Sequence, residues 1–315
     1  MTRRIVIGAT AHAAYAAGIA AARPDLAVRH APHTAVTADD LAWADTYVGF
    51  RPPPTDSLGN VRWVHVTGAG VDAWLFPEPI DASILLTRSP ESFGAPIAEW
   101  AIARALMLTQ RVRELEAAQR ERAWRPLEPT LLAGARVLVV GTGDIGTAVA
   151  ARFAAFGCTV TGVSRSGAAR AEHGVPSVFA RLAPIAALPE LVGDAQFIVL
   201  TLPLTEATYQ LFDRLLLSRC RGAVLLNAGR GAVVEEDAIV PALDAGWLSA
   251  AALDVFETEP LPAESALWGD PRVIVSPHCS GPTTVAGAVS GFLECLAAVE
   301  RGEVPKWVVD RSRGY

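Results

Sequence analysis

Residues 136–146 read Arg-Val-Leu-Val-Val-Gly-Thr-Gly-Asp-Ile-Gly, and an Ala-rich stretch follows them. A Gly-x-Gly-x-x-Gly spacing alone is a weak signal. Here an apolar β-branched run precedes it and a helical pattern follows, which is the context a dinucleotide-binding turn requires. Gly141 permits the tight turn, Gly143 lets the backbone approach a pyrophosphate, and Gly146 allows close helix–strand packing. The helix N-terminus adds N–H donors and the positive end of its dipole. The next strand ends in Thr161-Gly-Val-Ser-Arg-Ser166. An acidic residue about 20 positions beyond the glycines would bind the ribose 2′-hydroxyl of NAD. Ser164 stands there instead, followed by Arg165 and Ser166. A carboxylate repels a 2′-phosphate, whereas hydroxyls and a guanidinium hold one. The loop therefore favours NADP(H), with NAD(H) still possible.

On both sides of this turn, short β-branched runs alternate with Ala/Leu-rich amphipathic stretches, the pattern of parallel strands joined by crossover helices. Strands are expected at Ile5–Ile7, Thr46–Phe50, Trp63–Thr67 and Ile84–Thr87, then one long helix from about Pro96 to Arg120. Pro96 suits the first turn of that helix, where its missing N–H costs nothing. Pro126 and Pro129 break the chain before a second series of strands. Its members are Arg136–Val140, Thr159–Val163, Phe197–Leu202, Ala223–Asn227, Ala251–Val255 and Val273–Ser276, with a last helix near Thr283–Arg301. The pattern predicts an α/β protein of two doubly wound, Rossmann-like domains. Residues 1–95 and 283–315 would form a substrate domain, and the dinucleotide-binding domain, 96–282, would be inserted into it.

A chain of 315 residues exceeds what one hydrophobic core usually organises. With 51% hydrophobic and 19% charged residues, long disorder is excluded. The net charge of -6 lacks the basic footprint of nucleic-acid binding, so an anionic substrate must be met by a local cation. Cys158, Cys220, Cys279 and Cys295 show no paired metal-ligand spacing. No metal is expected, and the thiols suit a reducing compartment, the cytoplasm. Arg3-Arg4 before an Ala-rich run resembles a signal peptide, but the β-type run Arg4–Gly8 and a helical pattern containing His12 and Tyr15 account for it. No stretch is long and apolar enough to span a bilayer.

Three further segments carry polar groups just after apolar strands: Asn227-Ala-Gly-Arg-Gly231, Asp254-Val-Phe-Glu-Thr-Glu-Pro260 and Ser276-Pro-His-Cys-Ser-Gly281. An open α/β sheet places its ligands at the carboxyl ends of its strands, so Arg230, Glu259 and His278 could converge on one crevice. Singly, each has a bland alternative: a surface arginine, a solvated loop glutamate, a satisfied histidine. Trp43, Phe50, Arg51, Trp74 and Trp268 could shape a pocket or equally belong to the core.

With these segments in place, the sequence resembles the D-isomer-specific 2-hydroxyacid dehydrogenases, especially the glyoxylate/hydroxypyruvate reductase-like members, over nearly the whole chain. The resemblance rests also on Val66-Thr-Gly-Ala-Gly-Val-Asp72, Ala98-Glu-Trp100 and Leu202-Pro-Leu-Thr205. It departs from the pattern of many NAD-using members at Ser164. The resemblance implies D-specific hydride transfer between NADP(H) or NAD(H) and a small 2-keto or 2-hydroxy acid such as glyoxylate or hydroxypyruvate. Arg230 would grip the substrate carboxylate and keto oxygen. His278 would be the general acid in reduction and base in oxidation, with Glu259 orienting its ring and keeping it protonated. Backbone amides at Ala69 and Gly70 would bind the carboxylate. Asp254 would meet the nicotinamide carboxamide. Asp144, Ile145, Leu202, Pro203, Ala228, Gly229, Ser280 and Gly281 match other cofactor contacts, which Arg230 and His278 adjoin. Domain closure would exclude water. The stretch Ala95–Pro129 corresponds to the dimer-forming segment of relatives, so a homodimer is implied. A dinucleotide-sensing corepressor-like protein, or a dehydrogenase of another small anion, would share this fold.

Overall fold

The computed structural model describes residues 3–76, 78–90, 93–168 and 178–314. Contacts divide the chain into one unit made of Met1–Phe93 with Pro282–Tyr315, and a second of Gly94–Gly281. The first begins with β1 (Arg4–Gly8), α1 (His12–Ala22), β2 (Ala27–Ala31), α2 (Ala38–Trp43), β3 (Thr46–Val48), β4 (Trp63–Val66), α3 (Asp72–Leu75) and β5 (Leu85–Arg88). Its sheet has the order β2-β1-β3-β4-β5, with every pair parallel. Side chains on both faces of its central strands, such as Ile5, Val6, Tyr47, Trp63 and Val64, are buried, as a parallel sheet covered on both faces requires.

The second unit holds α4 (Gly94–Thr109), α5 (Val112–Arg120), β6 (Arg136–Val140), α6 (Asp144–Ala155), β7 (Thr159–Ser164), β8 (Arg181–Pro184) and α7 (Leu188–Leu191). It continues with β9 (Phe197–Leu200), α8 (Arg214–Leu217), β10 (Ala223–Asn227), α9 (Ile239–Asp244), β11 (Leu248–Leu253) and β12 (Val273–Val275). Its strands are again all parallel, in the order β12-β11-β10-β9-β6-β7-β8. β6 pairs with β7 on one side and β9 on the other. The strand order reverses there, which opens a crevice at the carboxyl ends. The last helix, α10 (Val285–Glu300), belongs to the first unit.

The structure corrects the expected elements in several places. The single helix expected from Pro96 to Arg120 is two, because Arg111 takes φ 54°. The carbonyl of Thr109, which would continue the helix, accepts the amide of Thr130 instead. β2 and β8 were not expected; both are edge strands with an exposed Arg side chain, joined in β2 by an exposed His, and both lack a continuous apolar run. β11 starts at Leu248, not Ala251, and ends at Leu253.

In the first unit α10 packs along α1, and Phe292 stacks on Trp63 with ring centroids 5.2 Å apart. Both rings are fully buried. Truncating such a ring leaves a cavity that close-packed neighbours only partly fill. Phe292→Ala should therefore lower stability by about 3–5 kcal/mol, read from urea unfolding followed by tryptophan fluorescence. A loss below about 1 kcal/mol would mean that the helix does not hold this core.

Candidate active site

β6 delivers the chain to the glycine turn and α6 leaves from it. Gly141 has φ 107°, a region open to glycine, and its amide donates to the carbonyl of Val163 at 2.8 Å. At Gly146 a Cβ would lie 1.8 Å from the carbonyl oxygen of Gly141, so the helix rests directly on the turn. Gly143 differs: a Cβ there would meet no atom within 4 Å. Two glycines are closed by protein and the middle one faces open space, at the N-cap of α6. That is the cradle a pyrophosphate needs, with the first amides of α6 as donors. Asp144 and Ile145 sit half-buried in that first helical turn.

Ser164 ends β7. Its hydroxyl donates to the carbonyl of Ala168 (2.7 Å) and accepts the Ala168 amide (3.0 Å). Thr142, of the glycine turn, donates to the same carbonyl at 2.8 Å. The two hydroxyls tie the loop after β7 to the glycine turn, a role for Thr142 that is not legible from the sequence. Ser164 spends its proton on the loop itself, while Arg165 and Ser166 are exposed at the tip.

The turn after β10 is folded by Asn227, whose side chain accepts the Gly229 amide (3.1 Å) and donates to the Arg230 carbonyl (3.1 Å). Gly229 lies against the Leu202 backbone, where a Cβ would be 2.7 Å from the Leu202 oxygen. Ala228 is buried and Pro203 half-buried. Gly231 is packed so tightly on Phe256 that a Cβ would lie 1.9 Å from its carbonyl carbon. Arg230 leaves this turn with Nη1 donating to the Gly229 carbonyl at 2.8 Å.

His278 and Glu259 meet: Nδ1 lies 2.8 Å from Oε2. The other carboxylate oxygen of Glu259 accepts the Phe256 amide at 3.1 Å. Half-burial pushes the Glu259 carboxyl up, but the hydrogen bonds from His278 and Phe256, with the charges of His278 and Arg230, outweigh it and hold the carboxyl below its ordinary range. His278 has φ 48°, uncommon for a residue with a side chain. Asp254 secures this turn. It is fully buried, and its carboxylate accepts the Ser276 hydroxyl (2.6 Å) and the amides of Cys279 (3.0 Å) and Ser280 (2.8 Å). Its own carbonyl accepts the His278 amide at 2.8 Å. Trp100, on α4, donates through Nε1 to the Ser276 hydroxyl at 3.0 Å. Gly281 follows half-buried.

Ala69 and Gly70 lie in the first unit, just past β4, partly exposed. Nη1 of Arg88 donates to the Ala69 carbonyl at 2.7 Å, and the Phe50 ring lies against Gly68. Trp74 is a core residue whose Nε1 donates to the Phe50 carbonyl at 2.9 Å, whereas Trp268 is half exposed.

Comparison with known proteins gives matches over the whole of this architecture. A family model described as D-isomer specific 2-hydroxyacid dehydrogenase, NAD binding domain, matches residues 102–280. A glyoxylate/hydroxypyruvate reductase A of Salmonella typhimurium is 35% identical over 280 residues, 86% of this chain and 88% of that protein. An uncharacterized Streptomyces coelicolor protein is 37% identical over 256 residues, 81% of this chain and 90% of its own. A D-isomer specific 2-hydroxyacid dehydrogenase from Xanthobacter autotrophicus, solved with NADPH and MES, superposes with a TM-score of 0.87 at 30% identity, covering 100% of both chains. An NADPH-dependent glyoxylate/hydroxypyruvate reductase from Sinorhizobium meliloti, solved with NADP and sulfate, gives 0.87 at 29% identity and the same coverage.

The depressed carboxyl of Glu259 makes a prediction about acid stability. A carboxyl whose folded value lies below its ordinary 4.5 contributes stability that is complete above the unfolded value and lost as pH falls through the folded one. Wild type should thus exceed Glu259→Gln in stability at pH 7, and the gap should close as the pH falls below the ordinary carboxyl range. A gap that stays constant down to strong acid would remove the charge from the pair.

Proposed function

The chain belongs to the D-isomer-specific 2-hydroxyacid dehydrogenases, and from its site we propose an NADPH-preferring reductase of small 2-keto acids, glyoxylate and hydroxypyruvate foremost, yielding D-2-hydroxy acids. The single observation that carries this reading is the 2.8 Å bond between His278 and Glu259 in the unit that also holds the open Gly143 turn. When bound, the reduced nicotinamide supplies hydride to the keto carbon. His278, with Nδ1 committed to Glu259, has its other ring nitrogen to give a proton to the keto oxygen as negative charge develops there. Arg230 offers a planar fork of donors for that oxygen and for the carboxylate, and it lies close enough to Glu259 to help keep it ionised. The amides of Ala69 and Gly70 take the carboxylate.

Arg165 and Ser166 would bind the 2′-phosphate, with Ser164 and Thr142 shaping their loop. The NADPH and NADP bound in the two structural relatives support NADP(H), and NAD(H) is the weaker partner. Asp254, fully buried, would act on the nicotinamide side chiefly by holding the Ser276–Ser280 segment.

A homodimer in the cytoplasm completes the proposal. Trp124 is 98% exposed and Leu131 81%, and apolar surface of that kind asks for a cover. They lie in and beside the Ala95–Pro129 stretch. All four cysteines are free, and among the described residues no helix is long and apolar enough to cross a membrane.

The experiment follows NADPH and NADH oxidation with glyoxylate and hydroxypyruvate. NADPH should give the higher kcat/KM, and Arg165→Ala should erode that preference by roughly tenfold. His278→Ala should cut turnover by roughly 10²–10⁴-fold with cofactor binding retained. Near-normal turnover without the imidazole would remove His278 from its role, and a preference for NADH would overturn the reading of the loop.

A further inference from the structure

His65 stands in β4, in a run where Trp63, Val64 and Val66 are all buried. An imidazole in a dry parallel-sheet core is costly unless both nitrogens are bonded. Both are: Nδ1 lies 2.8 Å from the Thr87 hydroxyl and Nε2 lies 2.8 Å from the Ser89 hydroxyl. Burial drives the ring's pKa down to about 3, so it is neutral and cannot serve as a general acid near pH 7. Trp63 Nε1 already donates to Thr87 at 2.8 Å. The arrangement that gives the protons of Trp63, Thr87 and His65 each an acceptor runs one way: Trp63 to Thr87, Thr87 to Nδ1, and Nε2–H to Ser89.

The chain of bonds ends beneath a functional turn. The Ser89 amide donates to the carbonyls of Val66 (3.1 Å) and Gly68 (3.3 Å), and Arg88 holds the Ala69 carbonyl from the same strand end. The carbonyls of Gly68 and Ala69 are thus occupied, whereas among the described residues no protein hydrogen bond uses the amides of Ala69 and Gly70. α10 makes room for this support: a Cβ on Gly291 would lie 2.1 Å from the Ser89 hydroxyl.

We infer that His65 is a positioning residue, whose bonds to Thr87 and Ser89 hold the Gly68–Gly70 turn so that the amides of Ala69 and Gly70 stay presented to the substrate carboxylate. This rests on the substrate role of that turn proposed above. His65→Phe keeps the ring volume and removes both bonds, whereas His65→Gln carries an amide near the place of Nε2 and can keep the bond to Ser89. In glyoxylate reduction the Phe variant should show a KM for glyoxylate raised about tenfold, kcat within about threefold of wild type and an unchanged KM for NADPH, with the Gln variant recovering most of the loss. If the Phe variant does not fold, Ser89→Ala makes the same test from the other end of the bond. A KM for glyoxylate within twofold of wild type, or equal damage to kcat and to the KM for NADPH, would overturn the inference. Should wild type reduce no 2-keto acid, the reading of the function falls, and His65 is judged by hydrogen exchange instead. The Ser89 amide should then exchange about tenfold faster in the Phe variant; unchanged exchange rejects the positioning role.

Discussion

A carboxylate removed from water must be met by donors, and in this protein Asp254 is where that demand is strictest. It follows directly on β11 and has no exposed surface. Its donors come from Ser276 and from the amides of Cys279 and Ser280, just past β12. Satisfying the oxygens of one buried side chain therefore joins two strand ends and curls the segment between Ser276 and Ser280 around it. His278 takes its left-handed backbone inside that curl. Such a conformation costs of order 1–3 kcal/mol and persists only where the surroundings over-determine it. The Asp254 carbonyl, its carboxylate and the Trp100–Ser276 bond do so.

The second constraint is how closely backbones may approach. Parallel strands place all their carboxyl ends on one edge, but the turns leaving that edge must also lie on one another. Gly146 on Gly141, Gly229 on Leu202 and Gly231 on Phe256 are each contacts that a Cβ would forbid. They bring the glycine turn after β6, the Arg230 turn and the Glu259 loop into a single layer. Gly143 is the exception, left open toward solvent. The same residue type thus closes the layer at three points and opens it at a fourth.

Two histidines show how environment divides a common chemistry. His65 is bonded to two neutral hydroxyls in a dry core, where burial keeps it uncharged. It can direct hydrogen bonds and nothing more. His278 is partly exposed and faces a carboxylate that its hydrogen bonds hold below the ordinary range. In each, the partners determine the role.

The sequence alone determined the doubly wound class, the two strand series, the glycine turn with Arg165 beyond it, and the three segments bearing Arg230, Glu259 and His278. These are local patterns: apolar runs of strand length, a glycine spacing, and polar residues just after a strand. The edge strands β2 and β8 were illegible because their half-exposed side chains carry no such pattern. The break at Arg111 depends on Thr130 capturing the Thr109 carbonyl from outside the helix. Only the tertiary structure decided that Ser164 and Thr142 share one acceptor, that Asp254 is sealed from water, and that His65 braces the turn after its own strand. Trp100 and Ser276 stand 176 positions apart, and nothing in the residues around either names the other. Their bond exists because α4 and the end of β12 occupy neighbouring space, and that proximity is a property of the folded chain.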